Sequence, residues 1–275
     1  MSTPIFTPNP TREVRIAVVG VGGTGSELLS HLTRLHNAQQ ARAFGGLHVT
    51  AFDPDTVSQA NIVRQRYFTN DIGRSKAHTL IERINTTCAL TWEAVSRKLT
   101  KTDLRTQSFD IVISCVDTRS ARDDIRSMLD RTITSYGNER PPARVWIDCG
   151  NTQHSGQVVL GTPGARLIPK RLRRAIVPCV HELHPEIVDR RLDVLDPPSC
   201  SALEALAHQG LMVNAMTATI AVDLLDELLT TGTVAQHARY FDLRKGTMAG
   251  RPTPDAPYRQ ARAANTPTQR HGARR

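Results

Sequence analysis

The sequence contains no apolar run that approaches the ~20 residues needed to cross a lipid bilayer. Its first residues, MSTPIFTPNPTRE, lack the charged and then apolar pattern of a secretory signal. No C-x-x-C pair occurs, and the cysteines are odd in number and widely spaced, at Cys88, Cys115, Cys149, Cys179 and Cys200. We therefore expect a cytoplasmic protein with reduced thiols, no membrane contact, no disulfide framework and no four-cysteine zinc site.

The positive charge of the chain, +9 in total, is concentrated at one end. Residues 246–275 contain six arginines, one aspartate and almost no bulky apolar side chains. This composition predicts a basic, disordered tail that follows a single folded domain over residues 1–245. A basic tail can contact nucleic acid through phosphates, whereas a solvated tail without a specific partner is the simpler interpretation. The sequence leaves both open.

Residues 14–65 form the stretch around which the chain is organised. An apolar run over 14–19 breaks into Gly20-Val21-Gly22-Gly23-Thr24-Gly25-Ser26, and a helix-like segment and a second apolar run, 47–52, follow and end on Asp53. Strand, glycine-rich turn, helix, strand and acid is the layout of a nucleotide-binding βαβ unit. A phosphate at this turn would face the unpaired N–H groups and the positive end of the helix.

Strand and helix patterns alternate along the rest of the chain, which predicts an α/β fold with a Rossmann-like, doubly wound, mostly parallel sheet. The prolines between 161 and 199 predict an irregular crossover there. The predicted helices are 73–87, 120–129 and 202–229, and the further predicted strands are 90–95, 109–116, 144–150, 157–160 and 239–243.

The polar residues after Asp53 separate two kinds of nucleotide chemistry. Asp53 alone, on an adenosine ribose, would suit an NAD-dependent oxidoreductase. Hydride transfer, however, has no use for several cations beside the phosphates, whereas a reaction that expels pyrophosphate does. The side chains in question are Asp55, Asn61, Arg64, Gln65 and Lys76.

Four motifs occur in the order typical of one family and cover roughly residues 14–160. They are Gly20-x-Gly22-Gly23-x-Gly25-Ser26, Asp53-x-Asp55-x-Val57-x-x-x-Asn61-x-x-Arg64-Gln65, Gly73-x-x-Lys76, and Cys115-x-Asp117 with Arg122 five residues on. On these motifs the chain resembles the ThiF/MoeB/HesA family, the bacterial relatives of ubiquitin-activating E1 enzymes. The stretch 197–201, Pro-Pro-Ser-Cys-Ser, and the basic tail are similar to the ThiF-like members of the plasmid-associated PRTRC cassette.

The resemblance implies an E1-like fold and ATP-dependent adenylation of the C-terminal carboxylate of a small ubiquitin-like, β-grasp protein. By motif match, Asp53 holds the ribose, Arg64 and Lys76 neutralise phosphates, and Asp117 binds Mg²⁺. The implied ATP site comprises Gly20, Gly22, Gly23, Gly25, Ser26, Asp53, Asp55, Asn61 and Gln65.

Simpler structural roles stay open beside these. Asp53 could cap the turn that follows it, and Asp117 could be the N-cap of the next helix. Arg64 and Lys76 could be ordinary surface cations. Arg122 could form a structural ion pair.

Some members of the family pass the activated acyl group to a cysteine, and Cys200 occupies a similar place before the long C-terminal helices. A helix N-terminus there would favour its thiolate. The flanking residues differ from the usual glycine-rich family sequence, so a buried structural cysteine is the alternative. A zinc site formed by Cys179, His181, His184 and Cys200 is a further one.

The family resemblance also implies a homodimer, although the N-terminal arginine-bearing helix of such dimers is not recognisable here. Two functions of other classes compete with adenylation. One is the NAD-dependent oxidoreductase, and the other is a nucleotide-sensing, DNA-associated module of a plasmid system.

Overall fold

An eight-stranded mixed sheet forms the centre of the computed structural model, which describes residues 4–131, 133–135, 138–164, 176–193 and 210–254. Its strands are β1 Val14–Val19, β2 Leu47–Phe52, β3 Glu93–Val95, β4 Ile111–Ser114, β7 Val145–Asn151, β8 Ser155–Gly161, β9 Gln236–Asp242 and β10 Thr247–Pro252. A separate short pair consists of β5 Ile133–Ser135 and β6 Asn138–Arg140. The helices are α1 Gly23–Ala41, α2 Lys76–Cys88, α3 Lys101–Thr106, α4 Arg119–Leu129, α5 Val180–Leu183 and α6 Val213–Thr231.

The strand order is β10-β9-β8-β7-β4-β1-β2-β3. Strands β3, β2, β1, β4 and β7 are parallel, and β8, β9 and β10 extend the sheet with antiparallel pairs. The order reverses between β1 and β4, because β1 is followed by β2 on one side and β4 lies on the other. Loops leave such a switch point in opposite directions and open a crevice at the carboxyl ends of the strands. The predicted Rossmann-like α/β fold is thus confirmed.

Helices cover both faces of the sheet. On one face, alternate residues of β1 such as Ile16 and Val18 belong to a buried cluster that includes Leu28 of α1 and Leu224 of α6. On the other face, the intervening residues of β1 pack in a second cluster with α3, α4 and α5. This arrangement buries both faces of the central parallel strands, which explains why they read as continuous apolar runs.

Two element boundaries differ from the sequence prediction for local reasons. Helix α2 begins at Lys76 rather than at residue 73, because the Ser75 hydroxyl accepts the backbone N–H of His78 at 3.4 Å. Strand β3 is confined to Glu93–Val95, because Ala89 ends α2 in the left-handed conformation. The Asn85 amide then donates to the Trp92 carbonyl oxygen and accepts the Trp92 N–H, which keeps Trp92 out of the strand.

The predicted disordered tail begins at residue 246, which is too early in the chain. Residues 247–252 form β10, which pairs with β9 across a turn at Gly246, where φ is +62°. An antiparallel hairpin can satisfy polar, exposed backbone without an apolar pattern, so composition did not reveal it. The remainder of the tail beyond 254 lies outside the described residues. Within the predicted crossover, the described part contains α5 and short 3₁₀ turns at Pro185–Val188 and Arg190–Leu192.

The segment before β1 is packed against the end of α6. Ile5 and Phe6 are buried, and the backbone N–H groups of both donate to the carbonyl oxygen of Gly232 at 2.8 and 3.2 Å. In the part of the chain that the structure describes, every helix is too short or too polar to serve as a membrane span.

Candidate nucleotide site

The glycine turn after β1 lies at the switch point and needs its glycines for packing. Gly20 has φ +90°, and a Cβ atom there would lie 2.7 Å from the carbonyl oxygen of Cys115 at the end of β4. A Cβ on Gly25 would lie 2.0 Å from the carbonyl oxygen of Gly20. Gly22 is different, since its nearest neighbour would be the Gln65 Nε2 at 4.0 Å. The turn is therefore closed against the sheet and open at Gly22.

Helix α1 presents its amino end to this open space. Gly22 is its N-cap, and no side chain of the described residues caps it, nor does its first turn hold an acid. The first N–H groups of a helix lack intrahelical partners, and the helix dipole places positive potential there. An anion is the natural partner for this end of α1.

Asp53 joins the glycine turn to the loop after β2. Its buried carboxylate accepts the N–H of Val21 at 2.6 Å and the N–H of Asp55 at 2.8 Å. Burial raises the pKa of Asp53, and the two backbone donors and the Lys76 ammonium oppose that shift. The suggested capping role of Asp53 is thus present.

Lys76, at the first position of α2, is 7% exposed. Its Nζ lies 3.0 Å from Asp55 Oδ2. A lysine this buried is held by acids near the turn, so the interpretation as an ordinary surface cation is wrong for Lys76.

The loop over residues 58–65 brings amide and cationic groups toward the same turn. The Asn61 Oδ1 accepts the N–H of Ser58 at 2.9 Å and shapes this loop. Gln65 follows it, beside Gly22, and its Oε1 is buried without a hydrogen-bond partner among the described residues. Burial lowers the pKa of Arg64, and the Asp117 carboxylate opposes that shift. Asp117 is therefore within electrostatic range of Arg64.

Ser26 and Tyr67 hold the loop against the turn. The buried Ser26 hydroxyl donates to the Gly23 carbonyl at 2.9 Å and accepts the N–H of Arg66 at 3.2 Å. The Tyr67 hydroxyl donates to the Val21 carbonyl at 2.7 Å, and burial raises the pKa of Tyr67. Tyr67 was not identified from sequence, although its place two residues after Gln65 is a signal that could have pointed to it.

A polar cluster that the sequence did not reveal supports the start of α1. Thr24 Oγ1 donates to Asn214 Oδ1 at 3.0 Å, and Asn151 Nδ2 donates to Thr24 Oγ1 at 2.8 Å. A Cβ on Gly23 would lie 2.3 Å from Asn214 Nδ2, so this glycine makes room for the amide. The three polar residues come from α1, β7 and α6, and no local motif links them.

A second buried polar network lies between α4, β4 and β7, and only its arginine was identified from sequence. Arg122 forms an ion pair with Asp148, which confirms the structural alternative for Arg122. Asp148 also accepts the Ser114 hydroxyl at 2.6 Å, and the Trp146 indole donates to that hydroxyl at 2.7 Å. Asp148 was missed because its strand reads as an ordinary apolar strand.

The structure describes only some of the residues in the cysteine and zinc predictions. Cys200 lies outside the described residues. Of the alternative zinc ligands, His184 is bonded to the Tyr240 hydroxyl at 2.8 Å and His181 stacks on Trp146. Within the described ranges no group of three histidine, cysteine, aspartate or glutamate residues is arranged to hold a metal.

Cys115, directly after β4, and Cys149, in the neighbouring strand β7, lie side by side near the glycine turn. A hydrogen bond with the Cys115 thiol, together with burial, raises the pKa of Cys149 well above its usual range. The Cys149 thiol is therefore a neutral, buried core group.

The side chains and the helix N-terminus described above fit a nucleoside triphosphate with a hard cation. The space at Gly22 is open. The buried Gln65 Oε1 can accept a hydrogen bond from a group such as a hydroxyl. Arg64 and Lys76 supply positive charge. Asp117 carries the carboxylate oxygens that Mg²⁺ prefers.

Comparisons with known proteins identify sequences that are similar to this chain. Ubiquitin-like modifier-activating enzyme 5 of Caenorhabditis elegans is 27% identical over 252 residues, which cover 83% of this chain and 51% of that protein. The SUMO-activating enzyme subunit uba-2 of the same organism is 31% identical over 149 residues, 52% of this chain and 22% of that protein. The chain thus spans about half the length of the first relative and less of the second.

Solved structures share the fold. The structure of E. coli MccB with ATP superposes with a TM-score of 0.56 and 13% identity, over 90% of this chain and 66% of that one. The structure of PaaA gives a TM-score of 0.56 and 16% identity, over 88% and 64%. Residues 9–263 match the model of the ThiF family, and the chain belongs to that family.

Proposed function

We propose that this protein binds ATP with Mg²⁺ and adenylates the C-terminal carboxylate of a small ubiquitin-like protein. The observation that carries the proposal is an open glycine turn at the N-terminus of α1, with the Asp53 carboxylate bonded to that turn and Lys76 paired with Asp55. Relatives named as modifier-activating enzymes, and a fold shared with a protein solved with ATP, support it.

The chemistry requires little proton transfer, because a carboxylate is already ionised at neutral pH. One carboxylate oxygen forms a bond to the α-phosphorus, the bond from that phosphorus to the bridging oxygen breaks, and pyrophosphate leaves. The protein must hold the two reactants in line and stabilise the charge that moves onto pyrophosphate. Helix α1, Arg64 and Lys76 are the groups that would do so. Asp53 would hold the ribose with Asn61 and Gln65 as neighbours.

Asp117 is the residue that would hold Mg²⁺. The ion, when bound, would neutralise negative charge on the phosphates. A carboxylate is the kind of hard oxygen ligand that Mg²⁺ takes beside phosphates.

Exchange of labelled pyrophosphate into ATP tests the proposal, with the full chain and candidate small proteins that end in a flexible Gly-Gly tail. Arg64→Ala and Asp117→Ala should each lower the exchange rate about 10²- to 10³-fold. Arg97→Ala, which removes an exposed arginine paired with Asp103, is the matched control and should leave exchange unchanged. Undiminished exchange in both site variants would contradict the assignment.

The second half-reaction rests on Cys200. If the thiol attacks the acyl carbon and AMP leaves, a thioester should be trapped and should disappear in Cys200→Ser. An unchanged adduct in the variant would remove Cys200 from the scheme. The narrower resemblance to PRTRC-cassette members stays a prediction.

A further inference from the structure

We infer that the buried ion pair between Arg122 and Asp148 is a positioning device that holds the backbone of Val116 and so fixes where Asp117 presents its carboxylate to Mg²⁺. This inference rests on the proposed function, because it takes Asp117 as the magnesium ligand. It adds two residues, on α4 and β7, that do not touch the nucleotide.

The pair is deep inside the protein. The side chains of Arg122 and Asp148 are 5% and 1% exposed, and Arg122 Nε donates to both carboxylate oxygens, at 2.9 and 3.1 Å. Ser114 and Trp146 complete the hydrogen bonds on the Asp148 side. Well-packed apolar residues often replace such a pair without loss of stability, so packing alone gives little reason to keep two charges here.

The other end of the guanidinium acts on the loop that carries Asp117. Arg122 Nη2 donates to the carbonyl oxygen of Val116 at 2.8 Å. On the opposite side, an ideal Cβ on Gly20 would lie 2.7 Å from the Cys115 carbonyl oxygen and 3.4 Å from the Val116 nitrogen. The backbone immediately before Asp117 is therefore held between the glycine turn and the ion pair.

The backbone immediately after Asp117 is held as well. The Thr118 hydroxyl accepts the N–H of Ala121 at 3.2 Å, as the N-cap of α4. The Asp193 carboxylate accepts the N–H groups of Arg119 and Ser120 at 2.7 and 2.9 Å. With both flanks fixed, the direction of the Asp117 side chain depends on the Val116 carbonyl and hence on Arg122.

The test separates positioning from a general structural role. The affinity of the full chain for ATP is measured by titration calorimetry in Mg²⁺ and in EDTA, and the ratio of the two Kd values defines the coupling between metal and nucleotide. Asp117→Asn should abolish this coupling. Asp148→Asn and Arg122→Lys should each lower it at least about tenfold, the effect typical of groups that orient metal ligands, with the Kd in EDTA unchanged.

A double variant sharpens the test. If Arg122 and Asp148 act through Asp117, then Asp117→Asn with Asp148→Asn should lose no more coupling than Asp117→Asn alone. The matched control is Asp110→Asn, which breaks a different ion pair, to Arg12 at 2.7 Å, directly before the amino end of β4 and so away from Asp117. It should lower stability and keep the coupling.

The outcomes are distinct. Coupling that Asp117→Asn abolishes but folded Asp148→Asn or Arg122→Lys retains would overturn the inference and leave the proposed function intact. Wild-type protein without any coupling would overturn the role of Asp117, and the inference with it. If Asp148→Asn does not fold, Arg122→Lys decides, because lysine keeps the charge but lacks the planar group whose Nε and Nη2 bind Asp148 and the Val116 carbonyl separately.

Discussion

Gly25 lies so close to Gly20 that a Cβ on the first would stand 2.0 Å from the carbonyl oxygen of the second. The oxygen belongs to the backbone and the Cβ position is fixed by the backbone, so neither can rotate away. The contact fixes how α1 leaves β1, and with it the direction of the N–H groups at Gly22 and Gly23. A side chain at Gly25 should therefore disturb the start of α1.

Gly25→Ala should destabilise the fold by about 2 kcal/mol or more, because overpacking against backbone forces α1 to move. Gly22→Ala meets no atom within 4.0 Å other than the Gln65 amide, so it should destabilise far less while it weakens ATP binding. Urea unfolding and ATP titration on both variants measure the difference. Equal loss of stability in the two would contradict the described turn.

Gly23 and Asn214 should show strong coupling. Gly23→Ala places a methyl group where the Asn214 amide now lies, 2.3 Å from its Nδ2, and Asn214→Ala removes that amide together with its bonds to Thr24 and Asn151. We expect each single variant to lose about 1–3 kcal/mol. In the double variant the methyl group fits the vacated space, so the loss should be smaller than the sum by at least about 0.5 kcal/mol. Additive losses would show that the two residues do not meet.

His237 should make the protein less stable in mild acid. Burial lowers its pKa to about 4, and its Nδ1 lies 3.2 Å from the Leu160 carbonyl oxygen. Between pH ~6.5 and ~4 the unfolded chain binds this proton and the folded chain does not, so the free energy of unfolding falls as pH falls. The contribution is on the order of 3 kcal/mol.

His237→Gln keeps a donor for Leu160 but does not titrate, so its stability should vary less with pH over that window. His78→Gln, an exposed change on α2, is the control and should keep the wild-type slope. Urea midpoints measured from pH 7 to pH 4 decide the matter, and identical slopes in all three proteins would refute the prediction.

Lys76→Met should fold, since methionine fills a site that is 7% exposed, yet should slow pyrophosphate exchange about 10²-fold. The reason is that Asp53 and Asp55 would then repel the phosphates without a compensating ammonium. Lys98→Met, an exposed lysine after β3, serves as the comparison and should react at the wild-type rate. A thermal unfolding curve close to wild type would show that the loss is not one of folding.

Local motifs were enough to predict that Asp53 meets the glycine turn. Gly20, Gly25, Asp53 and Arg64 occur within one βαβ unit and its loop, where spacing determines which residues meet. The buried position of Lys76 required the structure, because sequence alone could not tell a surface cation from one held by Asp55.

The missed residues share a different cause. Asn151 and Asn214 meet Thr24 from distant parts of the chain, and neither belongs to a recognisable pattern. Asp148 lies in a buried strand, where an acid is stable only because Arg122 pairs with it. Strand β10 was missed because an exposed edge strand lacks the apolar alternation by which strands are recognised.

The most direct test of the central claim is a comparison of ATP and NADH binding by calorimetry on the full chain. We predict that ATP binds in the presence of Mg²⁺, that Arg64→Ala weakens it at least about tenfold, and that NADH does not compete. Binding of NADH without binding of ATP would contradict the claim and favour an oxidoreductase on the same fold.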